Sequence, residues 1–229
     1  MIDLNGQTAL ITGGSRGIGR AASLLLARAG ADVAITYHTR AREAEDTAAV
    51  VRSLGRRALV MGGDLAAPEV AQRLASGVER EFGGLDIFVA NAGVWPAEEV
   101  RLGDMTVKRW RTTLEANLDS VFVSTRAVLP LIRPGGRVVI VSSTAGQRGE
   151  AFHADYAATK GALIAMSSAL AIRPIGMVFR MRSRFSGLNA GALISVSTQP
   201  GATQFTTRVG AYSMASDLVR AMSAPLVAA

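Results

Sequence analysis

The sequence contains no cysteine. That excludes a disulfide framework, a thiolate metal site and a cysteine nucleophile, and it fits a reducing compartment. Lysine is nearly absent: Lys108 and Lys160 are the only two, and the remaining basic residues are arginines. No apolar run is long enough to cross a membrane. The longest uncharged apolar-rich stretch at a helix, Gly161–Ile172, is far short of the roughly 20 residues a span requires. Met1 leads straight into a strand-like segment with no basic leader, so no secretory signal is expected. A cytoplasmic protein without a membrane segment is therefore expected. No fixed-period repeat, linker or low-complexity block interrupts the chain. Charged residues make up 19% and hydrophobic residues 49%, which is globular composition and excludes a disordered chain.

Positive charge is unevenly placed. The net charge is +7, and residues 173–229 supply +5 of it through six arginines against the single acid Asp217. Such a segment suits an anionic partner, but no nucleic-acid motif accompanies it, so nucleic-acid binding is not expected.

At 229 residues one domain is expected, spanning 1–229, with 173–229 as an atypical C-terminal region holding the substrate loop. Apolar segments alternate with helical patterns. Strands are expected at Gln7–Thr12, Asp32–Tyr37, Ala58–Met61, Leu85–Ala90 and Arg137–Ser142. Helices are expected at Ile18–Arg28, Arg42–Leu54, Pro68–Phe82, about Thr106 to Ile132, and Tyr156–Ile172. The alternation predicts an α/β fold with a doubly wound parallel sheet and right-handed crossovers. Beyond Ile172 the pattern weakens. Ala192–Ser197 reads as a possible strand and Ser213–Met222 as a possible short helix.

Thr12-Gly13-Gly14-Ser15-Arg16-Gly17-Ile18-Gly19 lies between the first strand and the first helix. A dinucleotide pyrophosphate needs close backbone approach, free N–H donors and a helix N-terminus. Gly13 suits the tight turn, Gly17 the close approach and Gly19 helix packing, so nucleotide binding is expected. The second strand runs into Thr36-Tyr37-His38-Thr39-Arg40, with no acid to hold a ribose 2′-hydroxyl. Arg16 and Arg40 could instead read a 2′-phosphate, so NADP(H) is expected over NAD(H). His38 reads as a surface loop residue.

Tyr156 and Lys160 stand four apart on an expected helix and share a face. A nearby ammonium would lower the pKa of a phenol that must move protons near neutrality. Ser143 ends the fifth strand, at the edge where α/β sheets bind ligands, and could hydrogen-bond a substrate carbonyl. Asn117, inside the long helix, could order a water in a proton path.

Together these residues resemble the short-chain dehydrogenase/reductase family, most closely its 3-oxoacyl-carrier-protein reductase-like branch. The matching residues are Thr12, Gly13, Gly17-Ile18-Gly19, Asp64, Asn91-Ala92-Gly93, Asn117, Ser143 and Tyr156-Ala157-Ala158-Thr159-Lys160, within residues 1–172. The resemblance implies a Rossmann fold and hydride transfer between a nicotinamide and a small carbonyl or alcohol substrate. It implies Tyr156 as general acid/base, Lys160 as modulator of its pKa and ribose ligand, Ser143 as carbonyl ligand and Asn117 as relay support. The implied cofactor cleft holds Gly13, Ser15, Arg16, Gly17, Ile18, Gly19, Arg40, Asp64, Leu65, Asn91, Ala92, Gly93, Tyr156, Lys160, Pro200 and Gly201. Val94, Trp95, Gly149, Phe152 and residues 202–212 are expected around the substrate. A homo-oligomer, tetramer or dimer, is implied as well.

The C-terminal region departs from the family. Pro200-Gly201-Ala202-Thr203 falls later after Lys160 than the family spacing. The family's strand signature is degraded to Ile194-Ser195-Val196-Ser197, and its Gly- and Asp-rich final strand is not found. The alternative expectation is therefore a nucleotide-binding member whose altered C-terminus has impaired or removed catalysis.

Overall fold

The chain builds its sheet outward from a central first strand. The computed structural model describes residues 3–170, together with the backbone of 179–180 and 192–197. Elements follow in the order β1 (Thr8–Ile11), α1 (Gly17–Arg28), β2 (Asp32–Tyr37), α2 (Ala41–Ser53), β3 (Ala58–Gly62), α3 (Pro68–Phe82) and β4 (Leu85–Ala90). After a loop come α4 (Val107–Leu114), α5 (Ser120–Val128), β5 (Ile132–Ser143), the one-turn α6 (Ala145–Arg148) and α7 (Ala154–Leu170). Two further strands are β6 (Phe179–Arg180) and β7 (Ala192–Ser197).

The sheet order is β3-β2-β1-β4-β5-β7-β6. β1 to β5 are mutually parallel. Their apolar runs are divided between two helix layers by the period of two along a strand. Ala9, Ile11, Ile87, Val89, Val139 and Val141 pack on the side of α1 and α2. Leu10, Phe88, Ala90, Val138 and Ile140 pack on the side of α3, α5 and α7. Burial on both faces explains why these strands are continuously apolar rather than alternating.

The structure differs from the sequence reading in three places. The long helix expected from Thr106 to Ile132 is interrupted by a π-helical turn at Glu115–Asp119 and ends in a 3₁₀ turn at Leu129–Leu131. Pro130 in that turn stops the helix, because it lacks an N–H for the preceding ladder. β5 therefore starts at Ile132, five residues before the expected Arg137, and its Gly135-Gly136 pair lies in a register shift against β4. The expected strand at Ala192–Ser197 is present, but it pairs antiparallel with β5, and β6 pairs antiparallel with β7. Antiparallel neighbours can be joined by a direct return, whereas a parallel neighbour requires a crossover. Pro200, Gly201, residues 202–212 and the short helix expected at Ser213–Met222 lie outside the described residues.

Candidate active site

The order of strands reverses between β1 and β4, and this switch point is the crevice where open α/β sheets bind ligands. Thr12 and Asn91 latch the two strand ends together. Thr12 Oγ1 accepts from the backbone N–H groups of Asn91 and Ala92, both at 2.9 Å, and Asn91 Nδ2 donates to the Thr12 carbonyl at 3.0 Å. Thr12 thus has a positioning role that its sequence context alone did not assign.

The glycine turn rises from this latch. Gly13 and Gly17 have φ of 66° and 54°, in the left-handed region that favours glycine. A Cβ on Gly19 would stand 2.2 Å from the Gly13 carbonyl oxygen and 2.6 Å from Asn91 Nδ2. Gly19 therefore lets α1 begin directly against the turn, rather than packing helix on strand. A Cβ on Gly17 would meet nothing within 4 Å. The outer face of the turn is open and leads into the N-terminus of α1, with no acidic residue in the helix's first turn. An anionic pyrophosphate fits that cradle. Ser15 is buried beneath it, Ile18 is partly buried, and Arg16 is exposed at its rim. At the end of β3, exposed Asp64 accepts from the Ala66 N–H at 3.0 Å, and the next residue, Leu65, is buried.

Arg40 is the N-cap of α2 and is not free. Its Nη1 lies 2.8 Å from Glu43 Oε1, and both side chains are about half exposed. His38 is exposed in the same loop, as expected.

The reactive groups gather at the C-terminal end of β5. Ser142 Oγ donates to the Lys160 carbonyl at 2.6 Å, which sews β5 to α7. Lys160 is buried, and its Nζ donates to the Val141 carbonyl at 3.1 Å and lies 5.6 Å from the centre of the Tyr156 ring. The Ser143 hydroxyl hydrogen-bonds Tyr156. It also accepts from the Ala145 N–H at 3.2 Å. A Cβ on Gly93 would approach Asn117 Oδ1 to 2.7 Å and Lys160 Nζ to 3.5 Å. The loop after β4, the π turn and α7 therefore meet at Gly93. Asn117 is fully buried. Its Oδ1 accepts from the Val94 N–H at 2.9 Å and its Nδ2 donates to the Thr113 carbonyl at 3.1 Å, so it holds the loop that carries Val94 and Trp95.

The electrostatics differ from the sequence expectation. Tyr156 titrates above the ordinary phenol value, not below it. Burial is the largest cause and the Glu150 carboxylate adds to it, while the Ser143 hydrogen bond acts in the opposite direction. The lysine is itself affected, since burial lowers Lys160 to about 8. Its ammonium donates to the backbone of Val141 and stands over the face of the Tyr156 ring.

This burial has a measurable consequence. Below pH 8 Lys160 is protonated in both folded and unfolded chains, and the fold bears the full cost of a buried ammonium. That cost is relieved as pH rises from about 8 to 10.5. At roughly 1.4 kcal/mol per pH unit, it amounts to about 3 kcal/mol at neutral pH. Lys160→Met removes the term. In thermal melts without cofactor, wild type should gain stability on the variant between pH 7.5 and 10, and a pH-independent gap would contradict the assignment.

Two groups unseen in the sequence reading brace the tyrosine. Asp155 is fully buried, and its carboxylate accepts from the Tyr156 N–H at 2.9 Å, Thr113 Oγ1 at 2.8 Å and Arg109 Nε at 3.1 Å. Burial alone would raise its pKa, but those three partners outweigh it and hold Asp155 below the ordinary value. Arg109 continues to the Glu98 carbonyl at 2.7 Å. The only sequence signal for Asp155 is an acid beside Tyr156, which reads equally well as an exposed helix-start residue.

Trp95 covers the tyrosine from the other side. Its ring meets Tyr156 edge-on at 4.7 Å and His153 at 4.2 Å, while half of its surface stays exposed. Val94 and Phe152 are similarly exposed, and Phe152 has a φ of 63°, the only positive value at a non-glycine position among the described residues. Its carbonyl accepts from the Val100 N–H at 3.0 Å, which ties the two loops together.

Residues 7–173 match the family described as short chain dehydrogenase. The chain is 37% identical to general stress protein 39 of Bacillus subtilis over 169 residues, covering 73% of this chain and 58% of that protein. It is 36% identical to an L-rhamnose 1-dehydrogenase (NAD(P)(+)) of Sphingomonas over 172 residues, 74% of this chain and 67% of that protein. The chain spans less than two thirds of the length of the first curated relatives it matches. Among solved structures, a short chain dehydrogenase of Burkholderia cenocepacia in complex with NADP superposes with a TM-score of 0.79 at 33% identity. That match covers 96% of this chain and 92% of the other.

Proposed function

This chain belongs to the short-chain dehydrogenase family, and from that membership we propose that it is an NADP(H)-dependent oxidoreductase interconverting a carbonyl and an alcohol. A small ketone or a 3-oxoacyl thioester is the substrate class. The observation that carries this reading is the meeting of Ser143, Tyr156 and Lys160 at the C-terminal edge of β5, beside the switch point.

A dinucleotide held by the glycine turn at its pyrophosphate would supply the hydride chemistry through its nicotinamide. Gly13, Ser15, Gly17, Ile18 and Gly19 would hold its pyrophosphate side. Asp64, Leu65, Asn91, Ala92 and Gly93 would line the cleft, and Lys160 would meet its ribose. Pro200 and Gly201 belong to the proposed cleft on sequence grounds alone. Ser143 donates a hydrogen bond to the substrate oxygen, and Tyr156 gives that oxygen its proton. Tyr156, raised above its ordinary value by burial, is protonated at neutral pH and so can serve as the proton donor in reduction. Asn117 keeps Val94 and Trp95 in place and supports the proton path. The apolar body of the substrate lies against Val94, Trp95 and Phe152.

The preference for NADP(H) rests on Arg16 and Arg40 and on the lack of an acid at the end of β2. In fluorescence titrations NADPH should bind more tightly than NADH, and Arg40→Met should weaken NADPH by about tenfold while leaving NADH within twofold. Equal affinities in wild type would remove the preference. Binding of cofactor without turnover of ketones or acyl-thioester mimics would favour the second reading, a nucleotide-binding member without catalysis. That reading is supported by the departures of residues 173–229 from the family pattern. A homo-oligomer is part of the leading proposal, and the half-exposed Phe122 on α5 supports it. Among the described residues, no helix is long and apolar enough to cross a membrane.

A further inference from the structure

We propose that Glu43 sets cofactor specificity: its carboxylate holds the Arg40 guanidinium as an internal anion, competes with a 2′-phosphate, and so narrows the preference for NADP(H) over NAD(H). The role rests on Arg16 and Arg40 reading that phosphate, as proposed above.

Glu43 is the third residue of α2, three after Arg40, and one helical turn brings the pair together at 2.8 Å. The carboxylate also accepts a hydrogen bond from its own backbone N–H and feels the charge of Arg16, which sits across the loop at the rim of the glycine turn. The two elements are joined underneath. Thr47 Oγ1 donates to the Glu43 carbonyl at 2.9 Å and lies 3.5 Å from the Ser15 carbonyl. The α2 start is thereby held against the phosphate turn, and Arg16, Arg40 and Glu43 form one cluster of two positive charges and one negative.

That composition matters to a dianion. A 2′-phosphate approaching Arg40 must displace Glu43 from the guanidinium or bind beside a carboxylate of its own sign. A cofactor with a plain 2′-hydroxyl meets neither cost, and the carboxylate can accept its hydrogen bond. Removing the carboxylate's charge leaves Arg40 without its ionic partner and raises the local charge from +1 to +2, which acts chiefly on the 2′-phosphate.

Glu43→Gln tests this, with the full chain titrated with NADPH and with NADH by fluorescence. NADPH should tighten by about threefold to tenfold, the range of an exposed charge pair acting on a dianion, and NADH should change by less than about twofold. The gain should shrink in 0.5 M NaCl, because the cluster is exposed and screened. In an Arg40→Met background the same substitution should change NADPH binding by less than about twofold, since Glu43 acts through Arg40. An unchanged NADPH affinity in Glu43→Gln, or a parallel change for both cofactors, overturns the proposal. If Arg40→Met itself leaves NADPH binding unchanged, the phosphate-reading role of Arg40 fails and Glu43 falls with it. If Arg40→Met weakens NADPH and Glu43→Gln does nothing, the Glu43 role alone fails. Retained NADH affinity reports that each variant is folded.

Discussion

Tyr156→Phe is expected to lower kcat/KM for carbonyl reduction by about 10²- to 10⁴-fold, the usual contribution of one positioned proton donor. The substitution removes a single oxygen. The ring, its edge contact with Trp95 and its place beside Lys160 are retained. Affinity for the cofactor should therefore change by less than threefold, and the melting temperature by little. The split between catalysis and binding is the decisive readout. Loss of both together would mean that the substitution had disturbed the cleft. Unchanged turnover would remove Tyr156 from the proton path and the proposed chemistry with it. Ser143→Ala should fall in the same direction, because the Tyr156 hydrogen bond and the proposed hydrogen bond to the substrate oxygen are lost together.

The largest effect on stability is expected at Asp155. Asp155→Ala leaves Arg109 with only the exposed Glu98 carboxylate as counter-charge and the Thr113 hydroxyl without its carboxylate acceptor. Breaking a buried pair in this way costs about 3–5 kcal/mol. In a chain of this size that corresponds to a fall in melting temperature of about 8–15 °C. Asp155→Asn keeps the shape and some acceptor capacity, so a smaller loss is expected. The pH dependence follows from the lowered pKa of Asp155. The group contributes stability above the ordinary carboxylate range, and that contribution is lost as pH falls through its folded value. The gap between wild type and Asp155→Asn should accordingly close in acid. A loss below about 1 kcal/mol for Asp155→Ala would show that the brace is dispensable. Because the same carboxylate accepts from the Tyr156 N–H, catalysis in Asp155→Asn should fall more in kcat than in KM.

Much of this was legible in the residue pattern. Strands β1 to β4 and helices α1 to α3 lie within a residue or two of their expected bounds, because uniformly apolar strands, Pro68 and the glycine stops are local signals. The glycine turn and the Tyr156 and Lys160 pair were legible for the same reason, as short-range spacing on elements of known period, and Ser143 by its place at a strand end; the resemblance joined them into one set. The π turn at Asn117 and the antiparallel entry of β7 were not, since each is settled by contacts between distant segments.

The site divides along the same line. The sequence by itself determined which chemical groups are present and roughly where each element places them. Only the tertiary structure decided their electrostatic state. Tyr156 is raised because neighbouring elements exclude water from it, and Lys160 is lowered because β5 and the loop after β4 close over it. Arg40 meets the solvent already paired, and Asp155 is a buried brace rather than a surface acid. Identity is a property of one residue, but burial and pairing belong to the surroundings that folding brings together.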